Sequence, residues 1–177
     1  MQVVFFLVAA LIVAADQLVK RAIATHFLPD ESRIVVPKLL WLTYVQNHRG
    51  AFGLFGAHPL VLAAVALGVV ILFYIWYRQG GATPSTHVAF GMILGGALGN
   101  IIDRVRFGYV VDFIDLRWWP VFNVADSAIT IGVCLLLLRI LWHERRQQTE
   151  SHLAPASAMT SSPGSPPGPP AQESAPQ

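Results

Sequence analysis

Four long apolar stretches, nearly free of charge, decide what this chain can fold into. They run Val3–Val19, Pro59–Tyr77, Ser85–Ile102 and Val124–Trp142. A helix crosses a bilayer with about 20 mostly apolar residues, and lipid offers its backbone no hydrogen-bond partner. Each stretch is close to that length. The chain is 54% hydrophobic and 12% charged, whereas soluble domains are about 25% charged. The expected class is therefore an all-α polytopic membrane protein with four transmembrane helices. Met1-Gln2 offers no basic n-region and the apolar run after it is long for a signal peptide, so the first stretch reads as a retained helix. The second ends in Tyr74, Trp76 and Tyr77, as an interfacial aromatic belt would.

The third stretch carries Gly91, Gly95 and Gly99 at a spacing of one helical turn. Without a hydrophobic drive between helices in lipid, close backbone approach is what packs them, so these glycines predict one packed face. Between the first two stretches, Ile34–Asn47 is rich in β-branched and aromatic residues and has strand character. Pro37 implies an edge strand or a break there. Residues 103–123 form a second hydrophilic segment. With four spans, both segments lie on one side of the membrane, and both termini with the short loop 78–84 lie on the other.

The expected domains are a membrane domain over 1–150 and a tail over 151–177. The tail holds seven prolines among Ser, Ala and Gly. It cannot bury enough apolar surface to offset its ordering entropy and is expected to be disordered. The formal charge of +2 is scattered, which gives no basic stripe for nucleic acid. A lone Cys134 excludes an intrachain disulfide.

Ionisable residues at membrane depth are costly and point to function. Asp16, Asp103, Asp112 and Asp126 stand out. Asp112 sits in Val110-Val111-Asp112-Phe113-Ile114, and Asp126 sits at the start of the fourth apolar stretch. Two carboxylates at one site can split roles, one holding a proton while the other acts as base. Spacing alone leaves open that Asp126 is a helix N-cap and Asp112 an interfacial loop residue. Asp16 and Lys20, one helical turn apart, read as an ion pair. The six histidines show no zinc spacing. A Ser–Lys dyad would need Lys20 or Lys38 near Ser32, Ser85 or Ser127, and no motif points there. A channel or transporter subunit, with Asp residues lining an ion path, is the alternative function class. It leaves unexplained why Asp112 and Asp126 share one membrane level.

At these residues the chain resembles the lipoprotein signal peptidases, signal peptidase II. The resemblance covers about residues 5–142. It is carried in order by Asp16-Gln17-Leu18-Val19-Lys20, Asn47-His48-Arg49-Gly50-Ala51-Phe52-Gly53, Gly95 through Arg104, Val110-Val111-Asp112-Phe113, and Phe122-Asn123-Val124-Ala125-Asp126-Ser127-Ala128-Ile129. It implies an aspartic endopeptidase with Asp112 and Asp126 as the catalytic pair. Asn47, Asn100, Asp103, Arg104 and Asn123 would line and brace the site, and Asp16 and Lys20 would be structural or help hold substrate. The implied substrate is a bacterial prolipoprotein carrying diacylglycerol on its lipobox cysteine, cut just before that cysteine. No cofactor or metal is implied. Membrane lipid and globomycin-type cyclic peptides are the implied partners, and a monomer is expected. A small extracytoplasmic β-rich segment in the first long loop is also implied, with the protein in the inner membrane and both termini cytoplasmic. Two positions depart from the family pattern: Arg49 stands where glycine is usual, and Val19 where a hydroxyl residue is common. The implied orientation places Lys20, Arg21, Arg33, Lys38, Arg49, Arg104, Arg106 and Arg117 outside, against Arg78, Arg139, Arg145 and Arg146 inside. A bare positive-inside count favours the reverse; the need for the Asp pair to meet an outer-face substrate favours the family orientation.

Overall fold

The structure is a computed structural model and describes residues 2–48, 59–79 and 83–153. Its elements are α1 (Gln2–His26), β1 (Ser32–Val36), β2 (Leu40–Asn47), α2 (Pro59–Arg78), α3 (Pro84–Phe107), β3 (Val110–Asp115) and α4 (Val124–Leu153). Among the described residues, Val3–His26, Pro84–Phe107 and Val124–Trp142 are helical, long and apolar enough to cross a membrane. In α2 the apolar helix Ala66–Arg78 is shorter. The fold is thus that of a membrane protein with four helices and a small sheet. Two compact units divide the chain at 140/141. The first holds every element up to α4, and the described part of the second is the helical continuation to Leu153. The tail expectation from 154 onward lies outside the described residues, as does the second signature from Arg49 to Gly53.

Of the three long apolar helices, α3 is the most buried: most of its apolar span lies inside the protein, whereas most of α1 and α4 does not. Large side chains such as Phe6, Leu11 and Leu18 on α1, and Leu137 and Leu138 on α4, are exposed. Apolar surface on that scale requires lipid or a partner. The glycine face works as expected. A Cβ on Gly91 would lie 2.7 Å from the Phe5 carbonyl oxygen, and one on Gly95 2.7 Å from that of Ala9. The opposite side of α3 meets α4 by the same device, with Gly96 against the Ala125 carbonyl and Gly132 against that of Ala89. Phe5, Ala9, Ala66, Phe73, Phe90, Leu94 and Ala97 fill the space among α1, α2 and α3, with the Phe5 and Phe73 rings stacked at 4.2 Å.

Helix α1 continues past Lys20-Arg21 to His26, farther than its apolar run predicts. Lys20 does not end it because its ammonium is buried and ion-paired. Ile23, one turn on, packs with Tyr44, Val111 and Phe113 beneath the sheet. Pro37 marks the turn between β1 and β2, as its missing N–H requires. The sheet is antiparallel in the order β1-β2-β3. Its third strand, Val110–Asp115, corrects the expectation of a β segment confined to the first long loop: the second segment supplies it, pairing Val45 with Asp112 and Asn47 with Val110. Helix α3 stops at Gly108, whose N–H donates to the Arg104 carbonyl and whose φ of 78°, open to glycine, redirects the chain. The chain can then turn directly into β3.

Candidate active site

Strand alternation sends Val111 and Phe113 into the cluster against α1 and turns Asp112 to the other face. There Asp112 is 2% exposed. It accepts from Asn47 Nδ2 at 2.8 Å and from Asn123 Nδ2 at 2.6 Å. Both donors stand at the ends of elements: Asn47 closes β2 and Asn123 precedes α4.

Asn123, not Asp126, is the N-cap of α4. Its Oδ1 accepts the Asp126 N–H at 2.9 Å, and Asp126 Oδ2 accepts the Asn123 N–H at 3.3 Å. This reciprocal arrangement is a capping box, and it aims the Asp126 carboxylate back toward the strand. Its other oxygen accepts from Asn100 Nδ2 at 2.9 Å. Asn123 Nδ2 also donates to Asn100 Oδ1 at 3.1 Å. One asparagine therefore touches Asp112, Asp126 and Asn100 and fixes the two carboxylates relative to each other.

Beneath this pair lies a buried ionic lattice. Lys20 Nζ lies 2.8 Å from Asp16 Oδ2, 2.9 Å from Asp103 Oδ2 and 2.9 Å from Asn100 Oδ1. Asp16 Oδ1 accepts the Ala125 N–H at 2.9 Å, which ties α1 to the first turn of α4. Asp103 Oδ2 accepts the Val111 N–H at 3.1 Å, which ties α3 to β3. A buried charge persists only when paired and hydrogen-bonded, and here the pairing locks the elements that carry Asn100, Asp112 and Asp126. Arg104 Nη1 donates to the His48 carbonyl at 3.2 Å, holding the end of β2 beside Asn47. Every candidate site residue, Asp16, Lys20, Asn47, Asn100, Asp103, Arg104, Asp112, Asn123 and Asp126, belongs to this one assembly.

Burial, and then the negative charge of Asp126, push the Asp112 carboxyl up to about 7, against opposing help from Asn47, Asn123 and the Lys20 charge. A carboxyl held there can keep a proton near neutral pH, which is what splitting roles with a second carboxylate requires. The pair opens on a cavity of about 870 Å³ whose other walls include Trp118, Trp119, Pro120, Ile129 and Ile131. Polar chemistry thus sits at one end of an apolar hollow. Lys20 already has three partners, and Ser127 Oγ donates to the Asn123 carbonyl, so these two residues do not form a nucleophile–base pair.

Gln17 is a participant that the motif reading quoted but did not single out. Its Nε2 donates to Asp103 Oδ1 at 2.9 Å and to the Gly99 carbonyl at 3.2 Å. An amide between Asp16 and the lattice-bearing turn at Lys20, inside an apolar helix, was the available signal. Asp115 was also overlooked. It accepts from Thr43 Oγ1 at 2.7 Å and from the Arg117 N–H at 2.8 Å, fastening β2 to the loop that carries Trp118 and Trp119.

Comparison with known proteins gives a consistent result. A family model described as signal peptidase (SPase) II matches residues 8–142. The lipoprotein signal peptidase of Syntrophomonas wolfei is 45% identical over 138 residues, covering 78% of this chain and 93% of that protein. That of Moorella thermoacetica is 48% identical over 138 residues, covering 77% and 92%. A solved structure described as a bacterial membrane enzyme, obtained by the in meso method at 2.3 Å resolution, is 34% identical with a TM-score of 0.70, covering 77% of this chain and 87% of its own.

Proposed function

The chain belongs to the signal peptidase II family, and on that premise we propose that Asp112 and Asp126 are its catalytic pair. The family's activity, removal of signal peptides from prolipoproteins, is this chain's activity, and the channel or transporter reading is not favoured. The finer reading is an aspartic mechanism. Asp126 takes a proton from a water that attacks the scissile carbonyl. Asp112, held protonated by burial and by its neighbour's charge, gives its proton to the carbonyl oxygen as the tetrahedral diol forms; when the diol collapses, Asp126 passes the proton it took from water to the leaving amine and Asp112 recovers its own from the diol hydroxyl. The single observation that carries this is the convergence of both carboxylates on Asn123 in the wall of a largely apolar cavity.

The proposed substrate carries diacylglycerol on the cysteine that follows the cut. The apolar wall of Trp118, Trp119, Ile129 and Ile131 suits acyl chains. Globomycin-type cyclic peptides would compete there. The proposal counts α2 as a fourth span, sets both termini in the cytoplasm and the sheet on the outer face of the inner membrane, and treats the protein as a monomer. The test is cleavage of a lipidated prolipoprotein by purified protein. Asp112→Asn and Asp126→Asn should each lose about 10³-fold or more, while Ser127→Ala retains most activity. Near-normal turnover by either Asp variant that is still folded would reject the pair.

A further inference from the structure

A second cleft, of about 650 Å³, opens between α1 and α3 and shares no lining residue with the catalytic cavity. Its polar lining includes Gln17, Lys20, Arg21, Asp103 and Arg106, and its apolar lining includes Leu18. Asp103 is its only carboxylate, and both oxygens of that group are engaged, by Gln17, Lys20 and the Val111 N–H. Arg21 and Arg106 are exposed, and among the described residues neither joins an ion pair. Arg33 and Arg117, by contrast, are paired with Glu31 and Asp115.

The depth of the cleft is also informative. At about 1.5 Å per residue, Arg21 lies about 27 Å along the helix from Val3, and Arg106 about 33 Å from Pro84. Those distances match a hydrocarbon core of about 30 Å, so both guanidinium groups stand at headgroup level in the leaflet nearer the sheet. Below them Leu18 is 68% exposed and Ala14 continues the same wall, leaving an apolar track toward the bilayer centre.

We propose that this cleft binds one anionic phospholipid of the surrounding membrane, its phosphate diester between Arg21 and Arg106 and one acyl chain along Ala14 and Leu18. The chemistry recognised is a phosphate at the interface joined to an apolar tail. The excess of cations over the single engaged carboxylate selects headgroups with net negative charge. The proposal rests on the chain being membrane-embedded and not on the catalytic assignment, and its test reads binding alone.

Native mass spectrometry of the full chain released from detergent micelles doped with phosphatidylglycerol or phosphatidylcholine reads the retained lipid. The wild type should retain one phosphatidylglycerol at a dopant level about tenfold below that needed for phosphatidylcholine. Arg21→Gln with Arg106→Gln should erase that preference, and each single variant should lose part of it. Arg33→Gln, the same charge change outside the cleft, should leave it intact. If the double Gln variant does not fold, Arg21→Lys with Arg106→Lys serves instead and should keep most of the preference. Equal retention of the two lipids by the wild type, an unchanged preference in the double or single Gln variants, or loss in Arg33→Gln would overturn the proposal. Displacement of the lipid by millimolar inorganic phosphate would show an ion site rather than a lipid site and would also overturn it.

Discussion

Replacing Asp112 with Asn should make the protein more stable at pH 8 but less stable near pH 4, where only the lost hydrogen bond counts. The Asp112 carboxyl is pushed from 3.8 up to about 7 by burial and by the charge of Asp126. A carboxyl whose folded value is raised costs nothing below its unfolded value, where both states hold the proton. Stability is then lost as pH rises through the window from about 3.8 to about 7. At about 1.36 kcal/mol per pH unit, that window is worth about 4 kcal/mol. Asparagine is neutral at every pH and so escapes this loss, but its amide must face Asn47 Nδ2 and Asn123 Nδ2, which both now donate to Asp112. Setting one NH₂ against another donor loses a hydrogen bond, at about 1–3 kcal/mol. The net gain at pH 8 should therefore be about 1–3 kcal/mol. The assay is denaturant unfolding in detergent micelles, followed by tryptophan fluorescence, for wild type and Asp112→Asn at pH 4 and pH 8. The quantity that isolates the titration is the change in their stability difference between the two pH values. A difference that does not move with pH, or that moves against the variant at pH 8, would refute the claim that Asp112 is held as a high-titrating carboxyl.

The remaining expectations concern other parts of the molecule. Lys20→Met should cost about 3–5 kcal/mol in the same unfolding assay, because it leaves Asp16 and Asp103 buried without their shared cation. Gly95→Val should cost about 1–3 kcal/mol or more, since its Cβ would meet the Ala9 carbonyl oxygen at 2.7 Å; an unchanged midpoint would show that α1 and α3 do not pack through this face. Exhaustive chelation should leave cleavage intact, because the proposed chemistry needs only a water and the Asp112–Asp126 pair held by Asn123; zinc-dependent recovery after EDTA would count against an aspartic mechanism. In a Cys134→Ser background, Glu31→Cys should react with a membrane-impermeant thiol reagent in intact cells and Gln79→Cys only after permeabilisation, the reverse pattern placing the sheet in the cytoplasm.

The helices were legible because lipid imposes a pattern that needs no tertiary information: long apolar runs. The packing of α3 was equally legible, since Gly91, Gly95 and Gly99 repeat at one turn and meet α1 as that spacing implies. Strand β3 was not. Its alternation of Val111 and Phe113 against Asp112 was present, but the strand exists only by pairing with β2, more than sixty residues away in sequence, and so short a segment does not declare a partner. The reach of α1 was hidden for a similar reason. Lys20 looks like the end of a span until Asp103 from another helix is brought beside it. The candidate site residues could be named from motif order, but not their division of labour. That Asn123 caps α4 while bonding Asp112 and Asn100 depends on three elements meeting, and spacing alone could not separate an Asp126 cap from an Asp126 acid.

The conflict over orientation looks different once the basic residues have been placed. The count that opposes the family topology treats Lys20, Arg33, Arg104 and Arg117 as loose charges. Three of them pair within two to four residues of chain: Lys20 with Asp16, Arg33 with Glu31 and Arg117 with Asp115. Such local pairs need no finished fold, so they can form while the chain is inserting and lower the cost of carrying those cations across. Arg33 and Arg117 also lie over the Phe27 and Trp41 rings at 4.5 and 4.7 Å, contacts suited to a bilayer interface. With the locally paired cations set aside, Arg21, Lys38, Arg49, Arg104 and Arg106 stand against Arg78, Arg139, Arg145 and Arg146. That is near parity among the cations without a local counter-charge. The bias against an outward-facing site therefore comes mostly from cations that carry their own counter-charge.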